Sequence, residues 1–329
     1  MGDKKKSISY SKFGYIFSIP FVIAYILFQL YPILYTFVIA FTNLKGVGNT
    51  NWKFLSDDVF KNFKTILEAE TFRIALVNTF RIWILNFIPQ IGMALLLTAW
   101  FTDHRMKMFG KGFFKVAMYM PNIITASTLG ILFSTLFGYP TGPVNALLKD
   151  VLHIIEEPIY FLNNGNAARN IVIFIQFWCW YGYTMVQLIS AVIGIDPSIF
   201  EAAELDGAGR WKTFIGITIP CIRPIMLFTL VTSLIGGLNM FDIPKVFLNG
   251  GPNNATSTAA VFIYNQAFAG SYLYARAAAA SLIMFLIIVF FSAILFYILR
   301  DKDEAALNKL RKQQIKEYKR QQKLGKAGA

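Results

Sequence analysis

Six stretches of this 329-residue chain lack Lys, Arg, Asp and Glu over about the length at which a helix crosses a bilayer. That length is about 20 residues for a helix through the hydrocarbon core. The stretches are Phe13–Leu44, Ile82 to about Trp100, Val116–Phe137, Asn170–Ile195, Pro224–Phe241 and Ala277–Leu299. Loops in hydrocarbon leave backbone groups without hydrogen bonds, so each stretch is predicted to be helical. The pattern predicts an all-α integral membrane protein with six transmembrane helices.

The charged residues lie at positions typical of a membrane protein. Hydrophobic residues make up 56% of the chain and charged residues 15%, against roughly 25% charged residues in soluble domains. The formal net charge of +13 comes from lysines and arginines at the ends of the apolar stretches and in the C-terminal tail. That placement suits anionic lipid headgroups. We therefore expect membrane lipid, and no nucleic acid, as a partner.

The basic flanks also predict the orientation of the chain. Six spans place the basic segments 4–12, 105–115 and 210–223 and the C-terminal tail on one side, which is then expected to be the cytoplasm. The opposite loops carry fewer basic residues, although the first of them holds five between Lys45 and Arg73. The predicted organisation is a cytoplasmic segment at 1–12, a six-span domain at 13–299 and a basic cytoplasmic tail at 300–329, a charged helix or a disordered segment.

Residue types that support catalysis or metal binding are scarce. Cys179 and Cys221 lie in or beside predicted spans and indicate no disulfide framework. His104 and His153 lie in loops without companions at metal-ligand spacing, so no metal site and no enzymatic activity are predicted. The sequence has no G-x-x-x-x-G-K-[ST] phosphate loop. Energy from ATP would therefore have to come from a partner.

The loop Asp196–Pro224, between the fourth and fifth predicted spans, carries the most specific signal. Asp196 is suited to cap a helix that has Pro197 in its first turn. Gly207 is suited to end that helix, and a second helix is expected from about Arg210. The first helix is expected to have an apolar side, formed by Ile199, Phe200, Ala203 and Leu205. Its acidic residues Glu201 and Glu204 are expected to pair with basic residues of a partner.

This loop resembles the EAA loop of ABC importer permeases, whose pattern is EAA, three residues, G, nine residues, I, one residue, L and P. A lone E-A-A is common in helices, but the full spacing in a loop before the penultimate span is highly specific. One position differs, because Ile219 replaces the usual leucine. The matching positions are Glu201, Ala202, Ala203, Gly207, Ile217 and Pro220.

Further motifs narrow the resemblance to sugar-type permeases, and among them to the larger of the two maltose-type permease subunits. The stretch Asn249–Pro252 followed by Thr256 is similar to the GGP…T element between the last two spans. The other matching elements are Asn62-Phe63-Lys64, Asn78-Thr79, Gly112-Phe113-Phe114, Met120-Pro121, Tyr264 and Ala267-Phe268.

The resemblance implies the type I permease fold of ABC importers, in a bacterial cytoplasmic membrane. It also implies a second homologous permease subunit, two cytoplasmic ATPase subunits and an extracytoplasmic sugar-binding protein. ATP and Mg would be bound by the ATPase subunits, so no cofactor is expected in this chain. One ATPase would receive the EAA helix in a cleft. The candidate coupling residues are Glu201, Ala202, Ala203, Asp206, Gly207, Ile217 and Pro220.

A sugar path through lipid needs aromatic faces and polar groups, and polar side chains inside a membrane often mark a pathway. The fourth and fifth spans provide both, and the resemblance places the sugar contacts on these two helices. The candidates are Gln176, Cys179, Trp180, Tyr183, Ser233, Gly236, Gly237, Asn239 and Asp242. Three simpler explanations stay open: Trp180 packs in the helix bundle, the glycine pair allows close helix packing, and Asp242 pairs with Lys245.

These observations predict an importer subunit for a carbohydrate, a di- or oligosaccharide, that works as a heterodimer with a similar permease. A permease for glycerol phosphate or a polyol is the alternative within the same class. An ion-coupled secondary transporter is the alternative from another class, and it usually shows carboxylates in mid-membrane. The six stretches hold none before the edge residue Asp242. A structural or receptor-like role leaves the EAA spacing unexplained.

Overall fold

The computed structural model of the chain describes residues 11–103, 105–106, 109–299, 310–311 and 313–315. Most of the two predicted terminal segments, and His104, lie outside the described residues. His153 is described and exposed, and its Nδ1 lies 2.9 Å from the carbonyl oxygen of Lys149.

The described part consists of helices joined by turns and loops, with one isolated antiparallel bridge between Thr42 and Phe54. Short π-helical turns interrupt the helices at Ile26–Leu30, Leu147–Val151 and Phe214–Thr218. The α-helices are α1 (Ser11–Tyr25), α2 (Tyr31–Ile39), α3 (Lys61–Glu68), α4 (Glu70–Thr102), α5 (Lys111–Tyr119), α6 (Ala126–Leu136), α7 (Pro143–Ala146), α8 (Gly165–Ile193), α9 (Pro197–Leu205), α10 (Arg210–Thr213), α11 (Ile219–Cys221), α12 (Arg223–Leu238), α13 (Asp242–Leu248), α14 (Ala259–Phe268) and α15 (Tyr274–Leu299).

Five of the predicted spans are present as helices long and apolar enough to cross a membrane, within the described residues. The all-α membrane fold is thus confirmed. The fifth predicted span continues past Phe241, because α13 follows α12 after a short break. These helical segments cover Lys12–Ile39, Glu70–Thr102, Gly165–Ile193, Arg223–Leu248 and Tyr274–Ile298.

The third predicted span is wrong as a single helix. The segments Lys111–Ile123 and Ala126–Leu136 meet at a bend of 92°, and together they count as a sixth span only if the bent pair crosses as one. Pro121 has no N–H and cannot continue the helical bonding pattern. Thr125 then starts a new helix, because its side chain accepts the backbone N–H of Thr128 over 3.3 Å.

The chain divides into two compact units. The first comprises Met1–Arg73 and Phe262–Phe285. Its apolar cluster joins the residues after α2 to the small residues at the start of α15. Asn62 is buried there, and its amide donates to the carbonyl oxygens of Ala40 and Thr42, each over 2.8 Å.

The second unit comprises Ile74–Val261 and Leu286–Ala329. Two apolar clusters pack against opposite ends of α4 and α8 in this unit. One includes Ile82 of α4 and Ile175 of α8, with residues of α6 and α13. The other includes Leu97 of α4 and Leu188 of α8, with Ile222 ahead of α12. Every residue of the two candidate sites lies in this unit.

Candidate functional site

The EAA loop folds locally as its sequence predicts. The carboxylate of Asp196 accepts the backbone N–H of Ser198 over 3.0 Å, which caps α9. This bond, with a second from the Ser198 hydroxyl, holds the pKa of the Asp196 carboxyl below its ordinary value. Gly207 follows α9 with φ of +70°, the left-handed conformation that favours glycine. The chain then enters α10 at Arg210, as expected.

The residues that were predicted to form the apolar side of α9 differ widely in exposure. Ala203 is buried at 5% exposure, but Leu205 is 90% exposed and Ile199 is 40% exposed. Leu205, in the last turn of α9, therefore lies on the solvent side, whereas Ala203 packs within the chain. Among the coupling candidates, Glu201, Ala202, Asp206, Gly207 and Pro220 are exposed, while Ile217 is half-buried.

Glu204 also departs from expectation, because its partner is in the same chain. Its Oε1 accepts the Nε–H of Arg105 over 2.7 Å, and the Nη1 of Arg105 donates to the carbonyl oxygen of Ala208 over 3.1 Å. A second ion pair joins Nε of Arg210 to Oδ2 of Asp103 over 3.1 Å. Both pairs connect the segment after α4 to the EAA loop.

A cavity of about 210 Å³ lies between α4, α8 and α12. The structure brings six of the nine path candidates together here. Their role in transport stays a prediction, since geometry alone does not test it. The six are Gln176, Trp180, Tyr183, Ser233, Gly236 and Gly237.

Two aromatic rings and two amides form one wall of this cavity. Trp180 and Tyr183 are 45% and 38% exposed, and their rings pack edge to face with centroids 5.7 Å apart. The indole N–H of Trp180 donates to Oε1 of Gln176 over 3.2 Å, and Gln187 donates to the hydroxyl of Tyr183 over 3.1 Å. Such a wall offers apolar ring faces beside groups that bind hydroxyls.

The other three path candidates line an adjoining cavity of about 330 Å³. These are Cys179, Asn239 and Asp242, and Asp242 lies in the first turn of α13. The two cavities adjoin because they share four lining residues. The shared residues are Gln176, Trp180, Gly236 and Met240.

The α4 wall of the 210 Å³ cavity, which contains Trp83, Asn86 and Gln90, was not among the predicted path residues. Asn86 and Gln90 are buried, and the amide of Gln90 donates to the hydroxyl of Thr184 on α8 over 2.9 Å. The signal was present in the sequence. Two amides spaced four residues apart in an otherwise apolar span lie on one helix face, and buried polar groups in a membrane need partners or mark a site.

Comparison with known proteins identifies the family. The family model described as binding-protein-dependent transport system inner membrane component matches residues 72–303. The lactose transport system permease protein LacF of Rhizobium radiobacter is 32% identical over 291 residues, which are 88% of this chain and 94% of LacF. The arabinooligosaccharides transport system permease protein AraP of Bacillus subtilis is 28% identical over 86% of this chain and 88% of AraP.

A solved structure supports the fold. A bacterial ABC transporter involved in the import of the acidic polysaccharide alginate contains a chain that superposes with a TM-score of 0.74 at 24% identity. The match covers 87% of this chain and 94% of that chain. It confirms the predicted importer permease fold. The family match covers more than half of the sequence, and the chain belongs to the family of binding-protein-dependent transport system inner membrane components.

Proposed function

We propose that this chain forms half of the transmembrane pathway of an ATP-driven importer for a neutral di- or oligosaccharide. As a family member it is a transport subunit, and a binding protein delivers the solute. The carbohydrate assignment is supported by the relatives LacF and AraP, which are permease proteins of lactose and arabinooligosaccharides transport systems.

The observation that carries the proposal is the wall formed by Trp180 and Tyr183 beside Gln176 and Gln187. A sugar presents C–H faces that pack on aromatic rings and hydroxyls that both donate and accept hydrogen bonds. Amide side chains match this dual character, because each has donors and an acceptor. Across the cavity, Asn86 and Gln90 of α4 add two more amides.

The absence of cationic side chains favours a neutral solute. None of the described residues lining the two cavities is Lys, Arg or His, and Asp242 adds a negative charge. A phosphate or carboxylate taken out of water without a counter-charge pays a large desolvation penalty. This half of the pathway therefore disfavours glycerol phosphate and acidic saccharides.

The remaining partners follow from the EAA loop. We infer a second, similar permease subunit and two cytoplasmic ATPase subunits that bind ATP and Mg. The exposed side chains of α9 support this, because Glu201 and Ala202 are available to an ATPase cleft on a helix with both ends capped. With the EAA loop on the cytoplasmic side, both termini are cytoplasmic as well. Closure of the ATPases on ATP would displace α9 and open the cavities to the binding protein.

An ion-coupled transporter is less well supported. Such proteins use titratable groups at the midplane. The only carboxylate among the described residues that line the two cavities is Asp242 at the start of α13. The polar groups that line the 210 Å³ cavity are amides and hydroxyls, beside aromatic rings.

The test is uptake by the complete complex in proteoliposomes, with ATP enclosed and binding protein outside. The probes are a panel of neutral di- and oligosaccharides that includes lactose, together with glycerol 3-phosphate. We expect ATP-dependent uptake of a neutral saccharide and none of glycerol 3-phosphate. Uptake of glycerol 3-phosphate alone, or uptake driven by an ion gradient without ATP, would contradict the proposal.

A further inference from the structure

Two reciprocal ion pairs bridge the end of α4 and the EAA loop. The segment after α4 contributes Asp103 and Arg105, one of each charge, and the EAA loop contributes Glu204 and Arg210. Arg105 makes a second contact, with the carbonyl oxygen of Ala208. The planar guanidinium groups hold these contacts in a defined geometry. We call this set of contacts the charge bridge.

The charge bridge spans a gap in the packing. A cavity of about 140 Å³ lies at this place, with apolar walls that include Trp100, Phe200 and Trp211. Phe200 of α9 does pack against the apolar cluster that contains Phe101. Ile222, near the end of the loop, belongs to the same cluster. The ion pairs add a direct polar connection from the end of α4 to α9 and α10.

The same helix carries the missed wall of the transport cavity. Gln90 and Asn86 lie on α4, and Gln90 is 13 residues before Asp103. At 1.5 Å per residue this separation is about 20 Å along the helix. A displacement of the end of α4 is therefore carried along one helix to the cavity wall.

We propose that Arg105 and Arg210 are positioning residues that transmit the displacement of α9 to α4, and so to the cavity wall. This inference rests on the proposed function, in which ATPase subunits move α9. The four side chains are between 16% and 53% exposed, and ion pairs at such exposure contribute little to folding stability. Loss of the charge bridge should therefore appear in coupling rather than in assembly.

The experiment uses the purified complex with a single reporter thiol in the cavity. Ser233→Cys supplies it, in a background where Cys179 and Cys221 are serine. The rate of maleimide labelling is measured with and without ATP and vanadate, so no sugar has to be identified. We compare the parent with Arg105→Glu, Glu204→Arg and the double reversal. Lys111→Glu is the matched control, because it reverses a charge after α4 and makes no ion pair among the described residues.

We expect ATP and vanadate to change the labelling rate in the parent and in Lys111→Glu. Each single reversal should reduce that change at least threefold, with ATPase subunits still co-purifying, and the double reversal should restore at least half of it. An unchanged response in both single variants, or no recovery in the double reversal, would overturn the inference. No response in the parent would contradict the ATP-driven function itself, whereas failed sugar uptake with an intact response would contradict only the substrate.

Discussion

The indole ring of Trp83 lies directly against the backbone of Gly237, where α4 meets α12. A Cβ placed on Gly237 would lie 2.7 Å from Nε1 of Trp83, which is closer than real Cβ atoms approach. Gly236 has open space at the same place, with nothing within 4 Å. The close-packing explanation offered for the glycine pair therefore holds for Gly237 alone.

Gly237→Ala should thus force Trp83 out of its position and change the shape of the 210 Å³ cavity, which both residues line. Overpacking of this kind typically costs about 1–3 kcal/mol. We expect a lower thermal stability of the purified complex and a loss of uptake. Gly236→Ala is the matched control, and it should leave the thermal stability unchanged or slightly raised, since alanine favours a helix. Equal melting temperatures for the two variants would contradict the contact between Gly237 and Trp83.

Gly207→Val should weaken the connection to the ATPase subunits. Gly207 has φ of +70°, and a β-branched residue there is strained by roughly 1–2 kcal/mol. The end of α9 would then change direction, while membrane insertion is kept. The measurement is the amount of ATPase subunit that co-purifies with the permease, and the ATPase activity coupled to uptake.

The control for Gly207→Val is Gly209→Val, two residues later. Gly209 has φ of −69° and ψ of 160°, which valine adopts readily, and its Cβ position is open. Normal ATPase association and uptake in Gly207→Val would count against the assignment of α9 as the coupling helix, as would the same result in Glu201→Lys.

The sequence predicted the helices and the local structure of the EAA loop because both depend on neighbouring residues. A long stretch without charged residues predicts a span. Asp196 and Gly207 cap the two ends of α9, the helix that lies between them. The bend within the third span was not predicted, because the apolar pattern continues on both sides of Pro121, with Met120 before it and Ile123 after it. The mean hydropathy of a stretch of sequence does not distinguish one straight helix from two helices that meet at a bend.

Contacts between distant residues could not be predicted. The pairing of Arg105 with Glu204 joins positions 99 apart, and a single sequence gives no signal for it. The path candidates on α8 and α12 do meet in two adjoining cavities. The α4 wall was not predicted, because the family resemblance places the sugar contacts on the fourth and fifth spans. The sequence shows Asn86 and Gln90 as polar residues on one helix face, whereas the hydrogen bond from Gln90 to Thr184 of α8 is known only from the fold.

The orientation can be tested by reporter fusions. Fusions after Lys111 and Arg210 should report the cytoplasm, because basic residues cluster in these loops. Fusions after Asn164 and Asn253 should report the opposite side. Along the chain the four fusion sites are expected to alternate between the cytoplasm and the opposite side. Each cytoplasmic fusion therefore has an external fusion in the same chain as its control. An external signal at Arg210 would exclude contact between α9 and a cytoplasmic ATPase.

Trp180→Ala and Tyr183→Ala should reduce sugar uptake while the complex still assembles. Each change removes an exposed ring face of the 210 Å³ cavity, and aromatic contacts contribute about 0.5–1.5 kcal/mol beyond the area they bury. A several-fold loss of uptake at subsaturating sugar is expected, measured beside complex yield. The control is Phe290→Leu in α15, whose ring is 61% exposed and lines neither cavity. If both variants transport as well as the parent, the sugar does not contact this wall. If the yield of the complex falls together with uptake, the rings serve packing instead. That is the simpler explanation given above for Trp180.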